Sequence, residues 1–237
     1  EISECLVGSE MCKETVLTAF LYNGNLPGFL NGRIWQGPSK SICVPGLNCY
    51  SCPGALGACP LGALQSSLSG VLLRFPFYVL GLMLLFGLLF GRTVCGWLCP
   101  FGFIQELLYK IPSPKFTKNK ATRTLTKLKY IIGLLFVIIL PVIFFYVVGI
   151  GAPAFCKYIC PAGTLEAALP LLSTNPFLKQ NLGMLFNWKL FLLLVTVIAS
   201  IVIYRPFCRF ICPLGAFYSL FNRLCHNKWL ILTRNSV

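Results

Sequence analysis

Three features of the sequence predict an all-α, helical integral membrane protein. Charged residues are too few for a water-facing surface of this size, three long runs are almost wholly apolar, and a cysteine–proline motif recurs beside those runs. The 237 residues are 57% hydrophobic and 11% charged, whereas a soluble domain carries about 25% charged residues. A larger core cannot absorb the shortfall, because a chain of this length still exposes much of its surface. Lipid is the solvent that fits. The net charge of +14 lies between apolar runs, where anionic headgroups meet it. Nucleic acid is therefore not an expected partner.

The three runs are residues 71–91, 130–150 and 182–204, each of a length that crosses a bilayer as a helix. The first carries Arg74 near its start, the second contains Pro141 as a candidate kink, and the third holds Lys189 beside Trp188, a pair suited to an interface. Residues 15–30 are a fourth candidate, interrupted by Asn23, Gly24, Asn25 and Pro27. Residues 1–225 read as a single membrane domain and 226–237 as a short tail, with truncation expected at one or both ends. Between Arg92 and Lys129 lie eight basic residues against Glu106 alone. The positive-inside rule then places 92–129 and the C-terminus in the cytoplasm, and 32–70 and 151–181 on the far side of a multi-pass cytoplasmic membrane protein.

Three copies of one motif carry the chemistry: Cys95-Gly-Trp-Leu-Cys99-Pro-Phe-Gly102, Cys156-Lys-Tyr-Ile-Cys160-Pro-Ala-Gly163 and Cys208-Arg-Phe-Ile-Cys212-Pro-Leu-Gly215. A looser group contains Cys43, Cys49, Cys52-Pro53 and Cys59-Pro60-Leu-Gly62. Proline suits the first turn of a helix, where its missing N–H has no intrahelical partner. The cysteine before it then sits at a helix N-terminus, which favours thiolate over thiol. A Cys-Pro ending also closes the bacterial ferredoxin run, whose thiolates hold a 4Fe–4S cluster.

The copies at 95–102 and 208–215 both follow an apolar run, and Arg92 and Arg205 stand three residues before their first cysteines. Such a parallel duplication puts both pairs on one membrane face. Cys95, Cys99, Cys208 and Cys212 then supply the four thiolates of one cluster, with Arg92, Arg205 and Arg209 as nearby cations. A second, outer site draws on Cys49, Cys52, Cys59, Cys156 and Cys160, with Cys43 as a further candidate; disulfides are the alternative there. Cys5, Cys12, Cys225 and His226 lack such a context. Gln105 and Glu106 read as an exposed helix face, and Phe75, Phe77, Tyr78, Phe86 and Phe90 as lipid-facing or packing aromatics.

Two other classes use paired thiols. A membrane thiol–disulfide exchanger would favour Cys-x-x-Cys without a fixed proline. A soft-metal transporter would carry polar ligands at mid-membrane, yet no run here holds an acid. The residues favour an electron-transfer subunit over a stand-alone enzyme.

At the strings Gly91-Arg-Thr-Val-Cys-Gly-Trp-Leu-Cys-Pro-Phe-Gly102 and Arg205-Pro-Phe-Cys-Arg-Phe-Ile-Cys-Pro-Leu-Gly-Ala216 the chain resembles the 4Fe–4S membrane proteins related to NapH and to the membrane part of NosR. The stretch from Cys43 to Pro60 resembles a subgroup of that family common in anaerobes. The resemblance implies four membrane helices, one or two 4Fe–4S clusters, and electron flow between quinols or ferredoxin and extracytoplasmic redox partners. A quinone site has no support from the residues themselves. Relatives of this type usually continue into a soluble ferredoxin domain; no such run follows Cys212 here, so the expectation is either a truncated chain or a separate ferredoxin or flavoprotein as partner.

Overall fold

The computed structural model describes residues 15–69, 76–114, 124–149, 152–175, 177, 180 and 182–221. Among its described residues every regular element is helical, and one isolated parallel bridge joins Cys43 and Ala58. Helix α1 (15–22) leads through Asn23–Asn25 into α2 (Leu26–Asn31), with Pro27 in its first turn. The fourth candidate span is therefore two short pieces. A loop over 32–59 follows, then α3 (Pro60–Leu68) and α4 (Phe77–Phe90). The apolar α4 is 14 residues long; the start of that run, including Arg74 and Phe75, lies outside the described residues, as do Cys5, Cys12, Cys225 and His226.

Among the described residues two helices are long and apolar enough to cross a membrane: α6 (Leu128–Val147) and α9 (Met184–Val202). Only 11% of either span is buried inside the protein, so neither is the core helix of a soluble fold. Their outward side chains, Ile131, Leu134, Ile138, Phe191, Leu194 and Ile198 among them, are the kind that lipid covers. Pro141 does not break α6. The backbone widens to π geometry over Gly133–Ile139 just before it, which makes room for the ring where an α-turn would clash. Pro170 is treated the same way, after the π turn Thr164–Ala168.

Short helices stand between the long ones: α5 (Pro100–Tyr109), α7 (Ala154–Tyr158), α8 (162–174), α10 (Pro206–Phe210) and α11 (Pro213–Phe221). Helix α9 packs along α5, and the π segment of α6 touches α3, α7 and α11. The Cys-Pro helix starts are thus gathered inside the bundle, and the buried core runs through Cys59, Cys99, Cys160 and Cys212.

Candidate metal centres

Cys59 and Cys99 are the N-caps of α3 and α5, with extended backbone, and proline follows each as the first helical residue. Cys212 stands in the same relation to Pro213, while Pro161, after Cys160, is a bend residue just before α8. The motif glycine has a packing reason in two copies. A Cβ on Gly102 would lie 2.8 Å from the Cys95 carbonyl oxygen, and one on Gly215 3.0 Å from that of Cys208. Only glycine lets the first turn of the helix close onto the preceding cysteine turn.

The two copies are tied to each other by a buried amide. Gln105 Oε1 accepts the Phe207 N–H at 3.1 Å, and its Nε2 donates to Cys208 Sγ at 3.2 Å. Gln65 repeats this in the other half: Oε1 accepts the Phe155 N–H at 2.9 Å, and Nε2 donates to Cys156 Sγ at 3.5 Å. Both glutamines lie six residues after a Cys-Pro cysteine, and both are fully buried. The exposed face expected for Gln105 and Glu106 is therefore wrong. Gln105 turns inward, and Glu106 pairs with Arg205.

Two groups of sulfurs result. In the first, Cys95 acts electrostatically on Cys208 and Cys212, and Cys99 is acted on by Cys208. Arg205 joins this group from its position before α10, with Nη1 donating to the Cys95 carbonyl at 3.0 Å and Nη2 to that of Gly96 at 3.4 Å. Arg92 and the buried Lys129 are also within electrostatic reach of Cys95. Arg209 instead stacks on Phe210, 5.3 Å from its ring centre.

In the second group, Cys49, Cys59, Cys156 and Cys160 lie within mutual electrostatic reach. Gly163 approaches Cys49 Sγ and Gly62 approaches Cys156 Sγ, at 3.4 and 3.8 Å from the positions a Cβ would take. Glu166 Oε2 accepts the Cys49 N–H at 2.8 Å. Lys189 Nζ donates to the Cys156 carbonyl at 3.2 Å. Lys40, buried, donates to the Ala55 carbonyl at 3.1 Å. Cys52 lies at the edge of this group and donates its S–H to Asn23 Oδ1 at 3.7 Å. Cys43 sits in the bridge to Ala58.

All ten described cysteines are free thiols. Burial pushes Cys59, Cys95, Cys99 and Cys156 up to about 12, against the opposing pull of backbone N–H groups on Cys59 and Cys99 and of Arg205 on Cys95. Desolvation and the helix-start amides thus act in opposite directions on these sulfurs. Metal binding would therefore release protons from them. Burial likewise pushes Glu166 up to about 7, with the Cys49 amide opposing it.

A 4Fe–4S cluster fits these surroundings. Among the described residues, no three Cys, His, Asp or Glu side chains close tightly enough for one ion, whereas a cubane spreads four thiolates over four irons. Polar atoms without partners are buried beside the cysteines: Asn48 Oδ1 and Nδ2, Thr164 Oγ1, Trp97 Nε1 and Arg205 Nε. A buried polar group without a partner costs about 1–3 kcal/mol, and cluster sulfur is an acceptor that the donors among them could use.

The comparisons agree with the geometry. The chain matches the 4Fe-4S binding domain family over residues 73–119, 131–173 and 187–231, more than half of its length, and each match spans one Cys-x-x-x-Cys-Pro copy. It belongs to that family, within the NapH- and NosR-related group, and its cofactor is the 4Fe–4S cluster. It is 34% identical to an uncharacterized protein, MJ0750, of Methanocaldococcus jannaschii, over 57% of this chain and 50% of that one. Protein NirI of Paracoccus denitrificans is 32% identical over 61% of this chain and 19% of its own length. Regulatory protein NosR of Stutzerimonas stutzeri is 30% identical over 60% and 18%. The chain thus spans half or less of these relatives. No solved structure matches it.

The two glutamine links give a test. Gln105→Leu strands the buried Phe207 N–H and should cost about 1–3 kcal/mol; Gln65→Leu should cost a similar amount through Phe155. Thermal unfolding of both variants in detergent would show this, and wild-type melting of both would refute the shared role.

Proposed function

We propose that this chain is a multi-pass membrane electron carrier holding two 4Fe–4S clusters. One is held by Cys95, Cys99, Cys208 and Cys212, the other by Cys49, Cys59, Cys156 and Cys160. The observation that carries this reading is the repeated glutamine link, Gln65 to Cys156 and Gln105 to Cys208, which pairs the motifs two by two. Cys52 and Cys43 are then structural thiols beside the second site. Such a cluster supplies one-electron transfer at a potential set by charge, hydrogen bonds to sulfur and exposure.

The protein's share of the work is visible in its side chains. The core around Cys59, Cys99, Cys160 and Cys212 excludes water. Arg205, Arg92 and Lys129 offset the negative charge of the first site, and Lys189 and Lys40 that of the second. Gln105 and Gln65 donate to one ligand sulfur in each. Electrons would pass between a cytoplasmic donor and an extracytoplasmic acceptor, with 92–129 and the C-terminus facing the cytoplasm, as the charge asymmetry favours. Ferredoxin- or flavoprotein-type partners are the chemistry that fits.

Anaerobically purified protein should be brown, lose visible absorbance on reduction and then show EPR signals of reduced clusters. A colourless protein whose cysteines form disulfides would refute the reading in favour of thiol exchange.

A further inference from the structure

Residues 45–49 run from one site to the other: 45–47 lie at the first, 48 and 49 at the second. Tyr218 Oη donates to the Pro45 carbonyl at 3.0 Å, and Tyr218 lies six residues after Cys212. A Cβ on Gly46 would fall 2.5 Å from the Leu98 carbonyl oxygen and 3.1 Å from Cys99 Cα. The Leu47 backbone N–H lies near enough to Cys99 to favour its thiolate, and the next N–H, that of Asn48, does the same for Cys59. The Cys49 N–H then goes to Glu166, six residues after Cys160. Two successive amides therefore serve sulfurs of different sites. With about 3.8 Å between consecutive Cα atoms, those sulfurs are on the order of 10 Å apart. Within this strap, Asn48 is fully buried, and neither Oδ1 nor Nδ2 has a partner.

Building on the two-cluster reading, we propose that the 45–49 strap couples the sites into one short relay. In it the Asn48 side-chain amide donates to the cluster held by Cys49, Cys59, Cys156 and Cys160. Its own N–H lies near one of those ligands, Cys59, and its chain neighbour Cys49 is another, so this is the site within its reach. Hydrogen bonds to cluster sulfur favour the reduced, more negative state. Asn48 is thus a positioning residue that raises the potential of one cluster, and the strap allows an electron released at one site to be taken up at the other.

The test is an EPR-monitored redox titration of the full chain in detergent, with iron and sulfide counted on the same samples. Wild type should show two midpoints, and the fully reduced protein should show spin–spin broadening absent from the half-reduced form. Asn48→Leu should move one midpoint to lower potential and leave the other, at wild-type iron. Asn48→Ala, which only deletes atoms, carries the measurement if leucine's shape displaces iron. Loss of one cluster's iron from both variants would also place the side chain at a single site. Two unmoved midpoints at full iron, or iron lost equally from both sites, would overturn the assignment of Asn48. Two clusters without magnetic interaction would overturn the relay. A wild type lacking two clusters would instead sink the functional reading on which this rests.

Discussion

Replacing Cys156 and Cys160 together by serine should leave the purified protein with about half the iron and sulfide of wild type, one cubane of two. The remaining EPR signal should be that of the site on Cys95, Cys99, Cys208 and Cys212. The two groups draw on different cysteines, and Gln65 reaches only the lost pair, through Cys156 Sγ and the Phe155 N–H. The mirror variant, Cys208→Ser with Cys212→Ser, should lose the other half. Unchanged iron in the first variant would remove the second site from the account. Loss of all iron in both would mean that the clusters assemble only together.

The second large effect is expected at Arg205. Its backbone has φ 47°, the left-handed region that is costly for a residue with a side chain. The guanidinium contacts hold it there: two carbonyls of the Cys95–Gly96 turn and the Glu106 carboxylate. The pair is largely shielded, with side chains 11% and 28% exposed. Arg205→Leu would leave Glu106 without its cation and the Cys95 and Gly96 carbonyls without their donor. Breaking one side of a buried pair costs about 3–5 kcal/mol, and the partial exposure of Glu106 puts this case near 3 kcal/mol. Arg205→Lys keeps the charge but not the fork, and should fall between. The expected readout is a lower Tm of several degrees, with preferential iron loss from the first site. Melting and iron content equal to wild type would contradict this role.

Much of this arrangement was legible in the sequence. The apolar runs announced α6 and α9, and the proline after each cysteine announced α3, α5 and α11, because both signals are local. The pairing of Arg205-x-x-Cys208 with Arg92-x-x-Cys95 pointed to one neighbourhood, and Cys95 lies within electrostatic reach of Cys208 and Cys212. What local patterns could not give was the loop of 43–59. Cys43 pairs with Ala58, so the chain turns back on itself before Cys49. In the sequence, Cys52, Cys59 and Cys160 stood out by their prolines, Cys156 and Cys49 followed, and Cys43 came next. The buried polar residues escaped for another reason: Gln105 read as a surface amide because its helix was read alone. Aligning the four Cys-Pro starts reveals it. The sixth residue after each cysteine is Gln65, Gln105, Glu166 or Tyr218, and every one of them makes a hydrogen bond to another motif or to the strap. Lys189 read as an interface anchor within an apolar run and Lys129 as one basic loop residue among eight, because neither pattern shows which cysteines lie nearby.

The central claim is two sites of four thiolates each, and the most direct measurement is iron and acid-labile sulfide per chain in protein purified without oxygen. About eight of each per chain is the predicted result. About four of each, or zinc in place of iron, would contradict it.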